Sequence, residues 1–135
     1  MKKNKIGFTC SCFDLLHAGH ILMLKDAKAQ CDKLIVGLQT DPTIDRPEKN
    51  KPIQSYEERY IQLEAVKYVD EIVKYETENE LYGIIYDLMP DVRILGSDYK
   101  DGRYYTGMEL NIPIYYHERN HNYSRSGLRK KIKES

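Results

Sequence analysis

The sequence has no tryptophan, two phenylalanines and three cysteines in 135 residues. Three is an odd count, and the spacing is uneven: Cys10 and Cys12 lie two apart, and Cys31 stands alone. A disulfide framework is not indicated. The C-x-C pair is too tight for the usual structural zinc spacing and lacks a second ligand pair. The N-terminal MKKNKIGFTC is basic, but no apolar core of roughly 7–15 residues with a small-residue cleavage site follows it. Secretion is therefore not expected, and reduced thiols in a cytoplasmic protein are. No run approaches the roughly 20 apolar residues of a membrane helix, so no membrane partner is expected. There is no excess charge of either sign, with 21 Lys and Arg against 21 Asp and Glu, which excludes a globally basic nucleic-acid binder. At 41% hydrophobic and 31% charged, the chain is not a disordered one. The length is that of one domain, expected to span residues 1–135.

The neutral total conceals an asymmetry. Residues 119–133, RNHNYSRSGLRKKIK, carry six bases and no acid, so this segment is +6 and the remainder is −6. Arg125, Arg129 and Lys133 recur every four residues as a charged stripe, and Leu128 and Ile132 give an apolar edge to pack on the domain. Six charges could hold a phosphate backbone weakly. The acidic remainder opposes a long polyanion, however, so no nucleic-acid partner is expected.

Along the chain, residues 5–10 read as a short buried strand, followed by a helix from Gly19 that closes at Cys31–Asp32. KLIVGL at 33–38 is a continuous apolar run, as in a strand buried on both faces. Residues 40–54 hold three of the five prolines and have no period, so they form a long loop, a type that is commonly functional. Ser55 with Glu58 is a capping-box signature for a helix from Tyr56 to about Tyr68. Residues 71–75 make a strand. Leu81, Ile84, Ile85 and Leu88 then stripe a helix over 78–88 that Pro90 stops. Strands follow at 92–95 and 112–117, and a basic helix capped by Ser124 or Ser126 ends at Ile132. This alternation predicts an α/β, Rossmann-like, doubly wound five-stranded parallel sheet with helices on both faces. Ligands of such sheets bind beyond the carboxyl ends of the strands, here residues 11–20, 39–52, 96–105 and 118–126.

The densest chemistry lies in Ser11 to His20, SCFDLLHAGH. His17 and His20 flank a helix start, with Gly19 between them allowing close backbone approach of a phosphate. Helix-start N–H groups and the helix dipole favour an anion there. Two imidazoles beside that point can donate to phosphate oxygens, which suits a pentacoordinate phosphorus better than proton abstraction.

The H-x-G-H box after a first strand resembles that of the nucleotidylyltransferase superfamily, and FDLLHAGH resembles the small cytidylyltransferases of the glycerol-3-phosphate type. Ser55-Tyr56-Glu57-x-Arg59 matches that family's SYExR, Tyr68-Val69-Asp70 its YVD, and Gly96-Ser97-Asp98-Tyr99 resembles its GxDW. Arg119-Asn120-His121-Asn122-Tyr123-Ser124-Arg125 stands where the family has RTxGIST, with Arg119 on that motif's Arg and Ser126 directly after it. The boxes run in order over nearly the whole chain. The resemblance implies transfer of CMP from CTP to a small phosphorylated alcohol such as glycerol 3-phosphate, with pyrophosphate leaving and no covalent intermediate.

On that resemblance His17 and His20 are catalytic, with Lys49 and Lys51 reaching in from the loop. The nucleotide lies among Cys10, Ser11, Cys12, Phe13, Asp14, Gly19, Gly96, Asp98, Arg119, Tyr123, Ser124 and Ser126. Magnesium bridges the phosphates, with Asp14 or Asp98 as its ligand, and the protein is a homodimer. There are departures. Cys12 stands where the family commonly has Thr, and Asn122 replaces the Gly of RTxGIST. Gly96-Ser97-Asp98-Tyr99-Lys100 with Gly107 also resembles the GGDYK box of heptose-phosphate adenylyltransferases. The alternatives are therefore ATP with a sugar phosphate, or a nucleotide-binding module without catalysis.

Overall fold

The structure, a computed structural model, describes residues 4–118. The strands are β1 (Ile6–Ser11), β2 (Lys33–Gln39), β3 (Glu71–Tyr75), β4 (Val92–Gly96) and β5 (Ile114–His117). Between them lie the helices α1 (Ala18–Ala29), α2 (Tyr56–Glu64) and α3 (Glu78–Leu88). All five strands are parallel in the order β3-β2-β1-β4-β5, the Rossmann-like sheet expected from the alternation. β1 is central, and the connection from β3 to β4 crosses the sheet, which puts the ligand-binding crevice at the carboxyl end of β1.

Each face of the sheet carries its own core. Leu34, Val36, Leu38, Val92 and Ile94 pack with Leu24 and Ala27 of α1 and Leu63 of α2. On the opposite face Phe8, Ile35 and Tyr75 pack with Leu81 and Ile85 of α3. Adjacent strand residues thus go to opposite helix layers, which explains the unbroken apolar run of β2. Gly7 is required here, because a Cβ would come within 2.6 Å of Cys31 Sγ.

The Ser55–Glu58 capping box forms as read, with Ser55 Oγ accepting from the Glu58 N–H at 3.1 Å and Glu58 Oε1 from the Ser55 N–H at 3.1 Å. α2 is shorter than its sequence suggests. The chain turns after Glu64, the Val66 N–H donates to the Leu63 carbonyl, and Val66 joins the core. β5 begins two residues late because Pro113 has no N–H to give the ladder. The 40–54 loop contains a single 3₁₀ turn at Pro42–Ile44, capped by Asp41. The expected basic helix to Ile132 lies outside the described residues. No helix among the described residues is long and apolar enough to cross a membrane.

Asp70, just before β3, joins α1 to the sheet. Its carboxylate accepts from Lys28 Nζ at 2.6 Å and from the Leu34 N–H at 2.7 Å. Burial alone would raise this carboxyl, but the Lys28 ammonium and the Leu34 N–H outweigh it and hold it below its ordinary value. A lowered native value means a stabilisation present above the unfolded carboxyl range and lost as pH falls through the native one. Asp70→Asn should cost about 1–2 kcal/mol near pH 7. In urea unfolding over a pH series, the gap from wild type should close below about pH 4.

Candidate functional site

The β1–α1 turn brings the two histidines together through the backbone. His17 is the N-cap of α1, and its Nδ1 accepts from the Gly19 N–H at 3.0 Å. His20 Nδ1 accepts from the His17 N–H at 3.2 Å. The pair therefore forms a capping box in which imidazoles replace the usual Ser and Glu. The rings stack with centroids 3.9 Å apart, and Phe13 stands edge-on to His20 at 5.4 Å. A neutral imidazole that accepts at Nδ1 carries its proton on Nε2, so these caps assign the Nε2–H tautomer to both rings. The result is two paired N–H donors at the positive end of a helix.

The turn itself is strained. Phe13 and Leu15 sit at φ of 49° and 51°, a region bulky residues rarely adopt. Three side chains hold it there. Arg59 Nη1 donates to the Cys12 carbonyl at 3.0 Å, and Gln54 Oε1 accepts from the Leu15 N–H at 2.8 Å. Asp14, 2% exposed, accepts from the Ile53 and Gln54 N–H groups at 2.8 and 2.9 Å. Arg59 also donates to the carbonyls of Gln39, Thr40 and Gln54, at 2.6, 2.5 and 3.1 Å. Four carbonyls from three segments thus converge on one buried guanidinium.

Above the turn is a cleft of about 810 Å³ at the carboxyl edge of the sheet. Cys10, Ser11, Cys12, Phe13, Asp14 and Gly96 line it with His20 and Lys49, so most of the expected nucleotide residues that fall among the described ones converge. Others are placed differently. Asp14 reaches the cleft, and its two oxygens also accept from the Ile53 and Gln54 N–H groups, so it anchors the long loop. Asp98 stands exposed, 3.4 Å from Arg103, and does not line the cleft, nor does Lys51. The Gly19 N–H is committed to His17 rather than turned to a phosphate. Cys10 lies beneath the cleft beside Arg93; burial pushes its thiol up against the lowering effect of that guanidinium. Arg119, Tyr123, Ser124 and Ser126 lie outside the described residues. No group of three His, Cys, Asp or Glu side chains suited to a metal ion occurs among the described residues.

Sequence reasoning missed Arg59, which it read only as part of a family box, and also Arg93, Tyr75, Glu78 and Tyr105 of the cleft wall. Arg93 did carry a signal: a charge inside the apolar strand VRIL. Burial, with Cys10 and Glu78 nearby, holds the Tyr75 phenol far above its ordinary range, so it remains a hydroxyl donor.

Residues 8–126 match the family model described as cytidylyltransferase-like. Among curated proteins, the bifunctional protein HldE of Rhodospirillum rubrum is 42% identical over 96 residues, covering 70% of this chain and 19% of that protein. HldE of Wolinella succinogenes is 42% identical over 107 residues, covering 78% and 22%. The chain spans about a fifth of the length of these relatives. Among solved structures, the lipopolysaccharide core biosynthesis protein of Thermoplasma volcanium matches with TM-score 0.68 and 25% identity over 90% of this chain and all of that one. Pantoate-beta-alanine ligase of Francisella tularensis shares the fold, at TM-score 0.56 and 22% identity, over 94% of this chain and 63% of that one.

Truncating Arg59 to Met should leave its carbonyls unpaired and lower stability by about 3 kcal/mol or more. Urea unfolding measures the loss. A change below about 1 kcal/mol would show that the turn holds its strained conformation without the guanidinium.

Proposed function

The chain belongs to the cytidylyltransferase-like family, and on that premise we propose that it transfers a nucleotidyl group from ATP to the phosphate of a sugar. An acceptor phosphate oxygen attacks the α-phosphorus, the bond from that phosphorus to the β-phosphate bridging oxygen breaks, and pyrophosphate leaves with the electron pair. A phosphate nucleophile needs no general base. The chain's task is therefore to position the substrates and stabilise charge.

The observation that carries this reading is the mutual capping of His17 and His20. With Nδ1 of each ring accepting from the backbone, Nε2 carries the proton; His20 lines the cleft with His17 stacked on it, and on this reading their N–H groups serve the charge that builds on the α-phosphoryl oxygens. Lys49 adds a cation from the loop, and the +6 segment that includes Arg119, Ser124 and Ser126 supplies groups for the β- and γ-phosphates. Magnesium bound with the triphosphate would neutralise phosphate charge, and Asp14 at the cleft is a carboxylate that could reach it.

The expectation of CTP with glycerol 3-phosphate gives way at this point. The curated relatives matched are HldE proteins, the structural relative at TM-score 0.68 is a lipopolysaccharide core biosynthesis protein, and Gly96 to Lys100 resembles the heptose-phosphate adenylyltransferase box. Together these support ATP and a sugar phosphate as the substrates. CTP with an alcohol phosphate is the second reading, favoured by FDLLHAGH and SYExR.

Pyrophosphate release separates the two readings. Full-length protein with magnesium should turn over ATP in the presence of sugar 1-phosphates; turnover with CTP alone would reverse the assignment, and none with either nucleotide would reduce the chain to a binding module. His17→Asn keeps an N-cap acceptor but removes the ring donor. It should therefore melt near wild type while losing about 10²-fold or more in kcat, as for a removed transition-state donor.

A further inference from the structure

The cleft has two wings on opposite faces of the sheet. His20 lines the wing on the α1 and α2 face. Arg93, between Val92 and Ile94 of that core, points the other way, toward Ile85 of α3, and lines the second wing with Glu78 and Tyr105. Arg93 is 3% exposed. Its Nη1 donates to the Thr106 carbonyl, and its guanidinium lies 5.1 Å from the centre of the Tyr105 ring. Its Nε is buried and has no hydrogen-bond partner among the described residues. Glu78 does not pair with it. That carboxylate accepts from Thr106 Oγ1 at 2.8 Å and lies 3.7 Å from Arg46.

A guanidinium taken out of water without a counter-charge is costly to fold around, and an unused buried N–H adds to that cost. Packing does not require one here, because its strand neighbours are apolar. The side chain is set to donate to an oxygen that enters the cleft. That oxygen does not belong to the reacting phosphate, because Arg93 and the histidine pair lie on opposite faces of the sheet. Glu78 completes a donor–acceptor pair: two oxygens of one carboxylate offer about four lone-pair sites, and Thr106 and Arg46 use two.

We infer that Arg93 and Glu78 read the end of the acceptor remote from its phosphate, Arg93 Nε–H donating to one acceptor oxygen and Glu78 receiving a hydroxyl. This rests on the transferase reading above and narrows its acceptor. The molecule is a phosphorylated polyol with a hydroxyl-bearing end remote from its phosphate.

Steady-state pyrophosphate release tests this with full-length protein, ATP, a panel of sugar 1-phosphates and glycerol 3-phosphate. Arg93→Lys keeps the charge and can still reach Thr106. It should raise the KM for the sugar phosphate about tenfold or more and leave the KM for ATP and kcat within about twofold. Glu78→Ala, which removes the acceptor, should do the same, and it carries the test if Arg93→Lys melts far below wild type. An unchanged acceptor KM in folded variants of an active enzyme sinks this assignment alone. A raised KM for ATP would move Arg93 to the nucleotide and also overturn it. A wild type that releases no pyrophosphate with any acceptor rejects the transferase reading, and this inference with it.

Discussion

The site depends on one buried guanidinium. Arg59 sits at 2% exposure in α2 and donates to the carbonyls of Cys12, Gln39, Thr40 and Gln54. These belong to the β1–α1 turn, the end of β2 and the end of the long loop. A neutral side chain could satisfy two of them at most; a guanidinium has five N–H donors in a rigid fork and stays charged. Phe13 and Leu15 can hold a left-handed backbone because Arg59, Asp14 and Gln54 fix the turn from three directions. The histidines begin two residues later, and any relaxation of the turn would move them. The positioning of the donors is thus set from helix α2, about forty residues further along the chain.

The fold was legible from the sequence because its signals are local. Continuous apolar runs marked the buried parallel strands, Ser55 and Glu58 marked a helix start, and Pro90 marked a helix end. The errors came where tertiary packing overrode a local pattern. α2 stops at Glu64 because Val66 is drawn into the core and Asp70 is needed at the N–H of Leu34. The site was legible only in its first half. HAGH was visible as chemistry, but the anchoring role of Asp14 was not, because the N–H groups of Ile53 and Gln54 that it holds lie 39 and 40 residues away. No period or spacing encodes such a contact. Arg93 was readable in principle, since a charge in a buried strand needs a reason, yet its wing forms only when α3 and the 104–107 turn close over the sheet edge.

Histidine suits positions 17 and 20 in a way that lysine and arginine do not. Lysine and arginine bring charge but have no acceptor nitrogen, so neither could cap α1. Serine or aspartate could cap it but would offer no comparable donor to the cleft. Imidazole alone among the side chains has one nitrogen that accepts and another that donates across a rigid ring, so capping one end fixes the direction of the other. On the proposed reading, the helix start and the charge-stabilising donors are therefore a single structural device. The stacking of the rings at 3.9 Å then joins the two donors into one unit. A change that frees either Nδ1 from its N–H would alter the tautomer, the ring orientation and the first turn of α1 together. Substitution at these positions therefore has to be judged by what it does to the cap as well as to the chemistry.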